Sequence, residues 1–338
     1  MSAYYSAGNT MLYIHGIGHF HPENVIDNAL LEELDIGTNN DWIIERVGIR
    51  TRRTVLPLEY IRETHNRDPS KAAEASVYTD AEMTARAADM ALERAGLQRS
   101  DIGMVISGGC STQWALPAEA CRIANELGIT APSVDLNSGC STFGAICHFV
   151  SSMKPEAIPD FVLVCTAESS TRVMSYDDRN TAVLFGDCCT AAVVSLKHEA
   201  PARVVYSTIA SDPSGWDKAT VRAGGYFAQE GKAVQAFAIR RTVKEFKALR
   251  KHWGDAGPKS PYFIGHQANL LVLEGACRYI EIDEGRHLFN VDEYGNNAAS
   301  GAPSVLSQNW DKLKPGDDLA MVIVGAGLTW ATLHIEFR

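Results

Sequence analysis

The pattern of apolar positions predicts alternating strands and helices along most of the chain. Short apolar runs, which are typical of buried strands, occur at residues 12–18, 104–107, 133–136, 161–165, 190–196, 202–207, 262–264, 319–324 and 331–337. Stretches with helical periodicity lie at residues 28–34, 42–47, 80–95, 118–127, 141–153 and 233–252, and directly after residue 266. This alternation favours an α/β fold with largely parallel strands.

The order of the predicted elements is similar in two parts of the chain, which suggests an internal duplication without a recognisable residue-level repeat. We assign residues 1–10 to an irregular leader, 11–197 to an N-terminal half and 198–338 to a C-terminal half. Residues 55–78 are polar and charge-rich, and we interpret them as an inserted excursion over the surface. No linker separates the halves, so we expect them to pack as one unit.

Composition and charge exclude some classes of protein. The formal net charge is −10, so electrostatics do not favour a nucleic-acid partner. No apolar run approaches the roughly 20 residues that span a bilayer, and the N-terminus lacks the pattern of a signal peptide. The spacing of the eight cysteines matches neither a zinc site nor a disulfide framework. We therefore expect a cytoplasmic protein with free thiols, no membrane partner and no metal.

Cys140 is the most informative of these cysteines. Residues 134–145 have the pattern of a strand, a tight turn of small residues and the start of a helix. A thiol at that junction faces the positive end of the helix dipole, which favours the nucleophilic thiolate. Cys140 is therefore a candidate nucleophile, and the alternative is a buried cysteine that packs the start of a helix.

Three further segments could contribute to a site. His266 directly follows the strand predicted at 262–264, where α/β folds gather reactive groups. Asn296 lies in a stretch of small residues that opens a helix. Taken singly, a capping histidine and a turn asparagine are alternative interpretations. Residues 325–327, between two apolar strands, are either an oxyanion hole of backbone N–H groups or a tight turn.

In order and spacing, these motifs resemble β-ketoacyl-acyl-carrier-protein synthase III, of the thiolase superfamily. The resemblance covers the chain from about residue 11 to 338. It rests on residues 38–43, 48–50, the turn at Cys140, and residues 185–187, 266–269, 294–296 and 325–330. It implies a thiolase-like, duplicated five-layered αβαβα fold, in which the halves stack their sheets around two buried central helices. It also implies a homodimer.

The resemblance implies a decarboxylating Claisen condensation. Cys140 would take the acyl group from an acyl-CoA, and the backbone N–H groups of Cys140 and Ala326 would form the oxyanion hole. His266 and Asn296 would hydrogen-bond the enolate that forms when malonyl-acyl-carrier-protein loses CO₂. The CoA and carrier thioesters are substrates, and no cofactor is implied.

The resemblance also implies contacts to CoA. These fall on Thr38, Trp42, Arg172 and Asn269. Trp42 and Arg172 would sandwich the adenine, which suits an aromatic face and a guanidinium plane. Thr38 would also contact the adenine, and Asn269 the pantetheine arm. A core position for Trp42 and an ion pair of Arg172 with the aspartates at 177–178 are the structural alternatives.

Two departures favour a specialised relative over an acetyl-primed enzyme. Leu271 stands where a basic residue often contacts the acyl carrier protein. Leu116 occupies the position that limits the acyl pocket across the dimer interface, and a branched residue there could admit chains longer than acetyl. We expect an enzyme of fatty acid biosynthesis. The alternatives are a stand-alone ketosynthase of pyrone, resorcinol or quinolone type, a thioester hydrolase or acyltransferase, and an inactive dimer partner.

Overall fold

The computed structural model describes residues 10–283 and 285–338, so the leader predicted at 1–10 lies outside the described residues except for Thr10. The strands are β1 Leu12–Phe20, β2 Asn24–Asp27, β3 Thr51–Thr54, β4 Ile102–Ser107, β5 Ser133–Asp135, β6 Phe161–Glu168, β7 Cys188–Ser195, β8 Ala202–Ser211, β9 Ala219–Val221, β10 Phe227–Gln229, β11 Tyr262–Gly265, β12 Asp318–Gly325 and β13 Thr329–Phe337. The helices are α1 Asn28–Glu33, α2 Asn40–Val47, α3 Leu58–Thr64, α4 Pro69–Ala75, α5 Asp80–Ala95, α6 Glu119–Leu127, α7 Thr142–Ser151, α8 Arg179–Ala182, α9 Gly231–Trp253, α10 Leu270–Ile280, α11 Val291–Tyr294 and α12 Gly301–Gln308.

Within the described ranges, nine strands form one hydrogen-bonded sheet in the order β11-β12-β13-β8-β1-β7-β6-β4-β5. Outward from the centre, the N-terminal strands follow the order β1, β7, β6, β4, and the C-terminal strands follow β8, β13, β12, β11. The two halves therefore repeat the same pattern of neighbours. A short ladder of β1 with β8, over residues 12–14, joins them.

The expectation of largely parallel strands is wrong. Parallel pairing is found for β4 with β5 and β6, and for β11 with β12. The other ladders of the large sheet, β1–β7, β1–β8, β6–β7, β8–β13 and β12–β13, are antiparallel. The turn at 326–328 shows one reason, because a connection of three residues reverses the chain and is too short for a parallel crossover.

Helices cover the sheet on its outer sides and fill the space between its halves. α5 packs on β1, β6 and β7, while α9 packs on β12, β13 and α10. α7 contacts β6, β8 and β13, and α12 contacts β1, β7 and β11, so each central helix touches strands of both halves. Apart from Phe149, every residue of α7 is buried. This is the expected five-layered αβαβα arrangement. None of the helices in the described part of the chain is long and apolar enough to cross a bilayer.

A glycine inside β1 lets α5 lie directly against the sheet. A Cβ at Gly18 would come within 2.0 Å of the carbonyl oxygen of Ala87 on α5. The strand predicted to end near Gly18 in fact continues to Phe20. The glycine is required by this close helix–strand contact, which a pattern of apolar residues does not reveal.

The segment at 55–78 is more ordered than the surface excursion expected from its composition. It contains α3 and α4, and Val55, Leu56, Ile61 and Ala72 are buried in the N-terminal core. Its charged residues obscure the few apolar positions that pack inward. The connection that follows β8 contains a two-stranded sheet of β9 and β10.

Candidate active site

Cys140 lies in the tight turn between β5 and α7. Gly139 adopts the left-handed conformation (φ +55°), and a Cβ there would come 3.0 Å from the backbone nitrogen of Ala326. The Thr142 hydroxyl accepts a hydrogen bond from the N–H of Ser138 (2.9 Å) and donates one to the carbonyl of Gly139 (2.6 Å). These contacts hold the thiol at the start of α7, as predicted from the small residues around it.

The structure brings the predicted catalytic residues to one cavity. A cavity of about 200 Å³ is lined by Cys140, His266, Asn296 and Ala326. His266 directly follows β11, and the N–H of Asn296 bonds the carbonyl of Leu184 (2.8 Å). Side chains from both halves of the chain therefore face the same space.

Hydrogen bonds orient the groups around this cavity. The Oδ1 atom of Asn296 accepts a bond from the N–H of Ala298 (2.9 Å), which leaves the side-chain amide hydrogens to donate. The Nδ1 atom of His266 is buried and has no hydrogen-bond partner in the described part of the chain. Gln267 holds the turn by donating to the carbonyl of Gly265 (2.8 Å). Asn296 is therefore placed as a donor.

The surroundings of Cys140 favour its thiolate. A hydrogen bond from the Cys110 thiol is the largest cause that lowers the pKa of Cys140 well below its usual value, and His266 lowers it further by charge and hydrogen bonding, although burial opposes both. The same hydrogen bond, together with burial, raises the pKa of Cys110. Of the two thiols, Cys140 is therefore the one whose surroundings favour the thiolate.

Glu168, at the end of β6, lies behind these thiols and was not identified from the sequence. Its carboxylate accepts hydrogen bonds from the N–H of Cys110 (2.8 Å), the hydroxyl of Ser111 (2.7 Å) and the N–H of Ala299 (3.2 Å). Burial raises the pKa of Glu168 to about 8. The carboxyl group ties the Cys110 loop to the segment after Asn296. The sequence feature that could have identified Glu168 is an acidic residue at the end of an apolar strand.

Two arginine side chains lie close to the indole ring of Trp42. The guanidinium groups of Arg46 and Arg179 each lie 5.0 Å from the centre of its indole ring. Trp42 is partly buried and packs against the N-terminal core, so its alternative interpretation as a core anchor stays open. Arg46 also lines the cavity at Cys140, which therefore extends towards α2.

The assignment of Arg172 to the CoA site is wrong. Its side chain is 5% exposed and forms an ion pair with Asp80, which is fully buried. It therefore pairs with neither of the aspartates at 177–178. Arg179, in the same connection between β6 and β7, is the arginine that lies over Trp42. Both arginines are compatible with the sequence motif, and only the packed structure distinguishes them.

Thr38 and Asn269 have contrasting environments. The Oγ1 atom of Thr38 is buried and has no hydrogen-bond partner among the described residues. Asn269 lines the cavity at Cys140, and its Oδ1 atom caps α10 by accepting from the N–H of Val272 (2.9 Å). A structural role is thus visible for Asn269, whereas contacts of either residue with CoA stay a prediction.

Leu116 lies on an exposed loop. It is 83% exposed, and the neighbouring Trp114 is half exposed. In the described part of this chain, the residues that line the cavities at Cys140 do not include Leu116. Its predicted contribution to an acyl pocket therefore requires a second copy of the chain.

Asp318, His334 and Glu336 form a cluster of possible metal ligands away from Cys140. Trp253 donates from Nε1 to Nδ1 of His334 (3.0 Å), so the ring carries its proton on Nε2 and donates it to Asp318 (2.7 Å). Arg203 pairs with Glu336 (2.6 Å). Both nitrogens of the ring are in use, and the cluster is a hydrogen-bonded network.

A cysteine at a helix start, with a histidine and an asparagine on the same cavity of a duplicated αβαβα fold, is typical of thiolase-fold condensing enzymes, which are acyltransferases. Comparison with known proteins agrees. The models of 3-oxoacyl-[acyl-carrier-protein] synthase III and of its C-terminal part match residues 134–213 and 260–337.

Curated relatives match over almost the full length. The β-ketoacyl-[acyl-carrier-protein] synthase III of Syntrophomonas wolfei is 31% identical over 95% of this chain and 96% of its own. That of Clostridioides difficile is 30% identical over 97% and 99%. The crystal structure of the Aquifex aeolicus synthase III superposes with a TM-score of 0.83 at 26% identity, over 96% of this chain and 100% of that one. This chain belongs to the β-ketoacyl-[acyl-carrier-protein] synthase III family.

The lowered pKa of Cys140 predicts the pH dependence of its alkylation. An ordinary thiol, with a pKa of about 8.5, reacts slowly with iodoacetamide at neutral pH because little thiolate is present. We expect the alkylation of Cys140 to show its midpoint below that value, and His266→Ala to move the midpoint upwards. Peptide mass spectrometry after timed quenching measures the rate, with the exposed Cys121 as the internal reference. A midpoint at or above the ordinary value would contradict the prediction.

Proposed function

We propose that this chain catalyses the decarboxylative condensation of an acyl-CoA with malonyl-acyl-carrier-protein, in fatty acid biosynthesis, through an acyl-Cys140 intermediate. The observation that supports this most directly is the convergence of Cys140, His266, Asn296 and Ala326 on one cavity. The names of the full-length relatives support the carrier-bound substrate.

In the first half-reaction, the Cys140 thiolate attacks the carbonyl carbon of the acyl-CoA thioester. The oxygen takes the negative charge and accepts hydrogen bonds from the backbone N–H groups of Cys140 and Ala326. The carbon–sulfur bond to CoA then breaks, and CoA leaves as a thiol after it takes a proton from solvent. The lowered pKa of Cys140 favours this step because the thiolate is the attacking form.

In the second half-reaction, malonyl-acyl-carrier-protein occupies the same cavity. Its carboxylate leaves as CO₂, and the bonding electrons move to the thioester oxygen as an enolate. His266 and Asn296 donate hydrogen bonds to that oxygen, so they stabilise charge that exists only after the carbon–carbon bond begins to break. The enolate carbon attacks the acyl-Cys140 carbonyl, the carbon–sulfur bond breaks, and the thiolate is regenerated.

We further propose that Trp42 and Arg179 bind the adenine end of CoA. An indole face and a guanidinium plane both stack on a purine, and the positive charges of Arg46 and Arg179 suit the CoA phosphates. The unpartnered Thr38 hydroxyl is a hydrogen-bonding group available to the same ligand. Asn269 would contact the pantetheine arm from its place on the cavity.

Substitutions of the catalytic residues should separate the two half-reactions. Cys140→Ala should give no acyl adduct with any acyl-CoA by intact-protein mass spectrometry. Asn296→Ala should still form the adduct, but its release of CO₂ from malonyl-acyl-carrier-protein should fall about 10²–10³-fold, because one oxyanion donor is lost. His266→Ala should impair both steps, since His266 also lowers the pKa of Cys140.

The same measurements distinguish the alternative functions. A thioester hydrolase on this fold would lose hydrolysis in Cys140→Ala but would release no CO₂, so Asn296→Ala would not separate two steps. A ketosynthase that takes both chains from carriers would form an adduct with an acyl-carrier-protein and with no acyl-CoA. A catalytically inactive partner would form no adduct with either donor.

Removal of the Arg179 side chain tests the CoA site. Arg179→Ala should raise KM for acyl-CoA about tenfold, equivalent to ~1.4 kcal/mol, while acyl-pantetheine, which lacks the adenine, should be used unchanged. Arg67→Ala is a matched control, because Arg67 lies on the surface in an ion pair with Asp177 (2.7 Å). An equal rise in KM for both donors would contradict adenine binding by Arg179.

We also propose a homodimer in which the exposed loop at Leu116 closes the acyl pocket of the partner. Sedimentation equilibrium should give twice the chain mass, and a monomer would refute the proposal. Leu116→Phe should shift the preference from longer towards shorter acyl-CoAs, because a larger side chain shortens the pocket, with effects on the order of 1–3 kcal/mol per methylene. Competition between acyl-CoAs of graded length measures the shift, and Val77→Phe is a control at another exposed apolar residue.

A further inference from the structure

Two thiols share the cavity beside the nucleophile. A cavity of about 320 Å³, adjoining the one that contains His266, is lined by both Cys110 and Cys140. Each of these residues is partly exposed, and the Cys110 thiol acts on Cys140 strongly enough to lower the pKa of Cys140. A small molecule that reaches the nucleophile through this cavity therefore also meets a second sulfur.

Side chains hold the two cysteine-bearing turns against each other. Asn137 donates a hydrogen bond to the carbonyl of Gly109 (2.9 Å) and accepts one from the N–H of Gly139 (2.8 Å). A single side chain thus joins the residue before Cys110 to the residue before Cys140. The side chain of Glu168 also holds Cys110 in place, because it accepts a hydrogen bond from the N–H of Cys110 (2.8 Å). These contacts hold both cysteine-bearing turns at the same cavity.

We propose that Cys110 and Cys140 form a redox-modification site, in which a hydroperoxide oxidises Cys140 and Cys110 converts the product into a reversible disulfide. In the condensation described above, Cys110 forms no covalent bond with a substrate and only lowers the pKa of Cys140. A reactive thiolate next to a thiol that can resolve its oxidation product is the arrangement of reversibly oxidised cysteines. Of the function proposed above, the redox proposal requires only that Cys140 is nucleophilic. It can be tested without any condensation substrate.

The chemistry balances in two steps. The Cys140 thiolate attacks one oxygen of the hydroperoxide, the O–O bond breaks, and Cys140 becomes a sulfenic acid while the other oxygen leaves as an alcohol or water after protonation. The Cys110 sulfur then attacks the sulfenic sulfur, the S–O bond breaks, and water leaves with the proton of Cys110. The oxidant is reduced by two electrons, and the two thiol groups supply them.

The other cysteines are less suited to either role. Cys147, Cys165, Cys188 and Cys189 are buried. Burial raises the pKa of Cys147 and that of the partly exposed Cys277 to about 12, so both are poor nucleophiles. Cys121 is exposed, but in the described part of the chain it does not line the cavity that holds Cys140. Further oxidation of Cys140 to a sulfinic acid would be irreversible, and the disulfide prevents it.

The test is to treat the purified enzyme with hydrogen peroxide, block free thiols, and analyse it without reduction. We expect a mass loss of two hydrogen atoms and one cross-linked peptide pair containing Cys110 and Cys140. Dithiothreitol should restore the mass and the rate at which Cys140 is alkylated. In Cys110→Ser, a near-isosteric change, peroxide should instead add oxygen to Cys140, and dithiothreitol should not reverse the sulfinic product.

Cys121→Ser is the matched control and should form the same cross-link as the unchanged protein. The cross-link in the unchanged protein does not depend on whether Cys110→Ser folds, and thermal unfolding of that variant checks its fold separately. A cross-link between other cysteines, oxygen addition to Cys140 without a cross-link, or no oxidation at all would overturn the proposal. The acyl-CoA adduct tests separately whether Cys140 accepts an acyl group, so an adduct without a cross-link would overturn the redox proposal alone.

Discussion

Backbone contact between the turn before α7 and the end of β12 determines where the reactive groups lie. A Cβ at Gly325 would come 2.8 Å from the nitrogen of Cys140, and Gly139 meets the facing turn in a left-handed conformation. The hydroxyl of Thr329 completes the contact by donating to the carbonyl of Ser138 (2.9 Å). Because no side chain fits between these segments, Cys140 of the N-terminal half lies directly against the turn that the C-terminal half contributes.

Buried carboxyl groups hold the loops that surround this contact. Asp187 accepts hydrogen bonds from the N–H of Thr171 (2.8 Å) and of Val55 (2.8 Å), so it joins the connection after β6 to the segment after β3. Burial raises its pKa to about 6. Asp80 pairs with Arg172 behind the same connection. Removal of one partner from a buried ion pair costs about 3–5 kcal/mol of folding stability. The pair of Asp80 with Arg172 therefore stabilises the fold.

An environment that stabilises a thiolate also makes that thiolate susceptible to oxidation. The surroundings of Cys140 lower its pKa and favour the thiolate, which is in general both the form that attacks thioesters and the form that peroxides oxidise. In the proposed redox site, Cys110 lines the same cavity and would resolve the first oxidation product of Cys140. Nucleophilicity and susceptibility to oxidation therefore have a common physical origin in the environment of Cys140.

Much of the fold could be predicted from apolar periodicity, because helix and strand positions depend mainly on which residues face the core. The long amphipathic helix at Asp80–Ala95 has the predicted bounds, with a capping box at Thr79 and Glu82. Strand direction was predicted wrongly, since periodicity does not encode which strand pairs with which. The helices within 55–78 were missed because few apolar residues mark them.

The sequence by itself indicated the class of enzyme, because its separated motifs resemble one family in order and spacing. Taken singly, the patterns around Cys140, His266 and Asn296 left structural alternatives open. Only the tertiary structure decided that Arg179 rather than Arg172 lies over Trp42, since the two arginines share one connection and differ in which way the folded chain turns them. Local sequence specifies whether a segment forms a helix, a strand or a turn. Which side chains meet depends on contacts between residues far apart in the chain, and those contacts exist only once the whole core is packed.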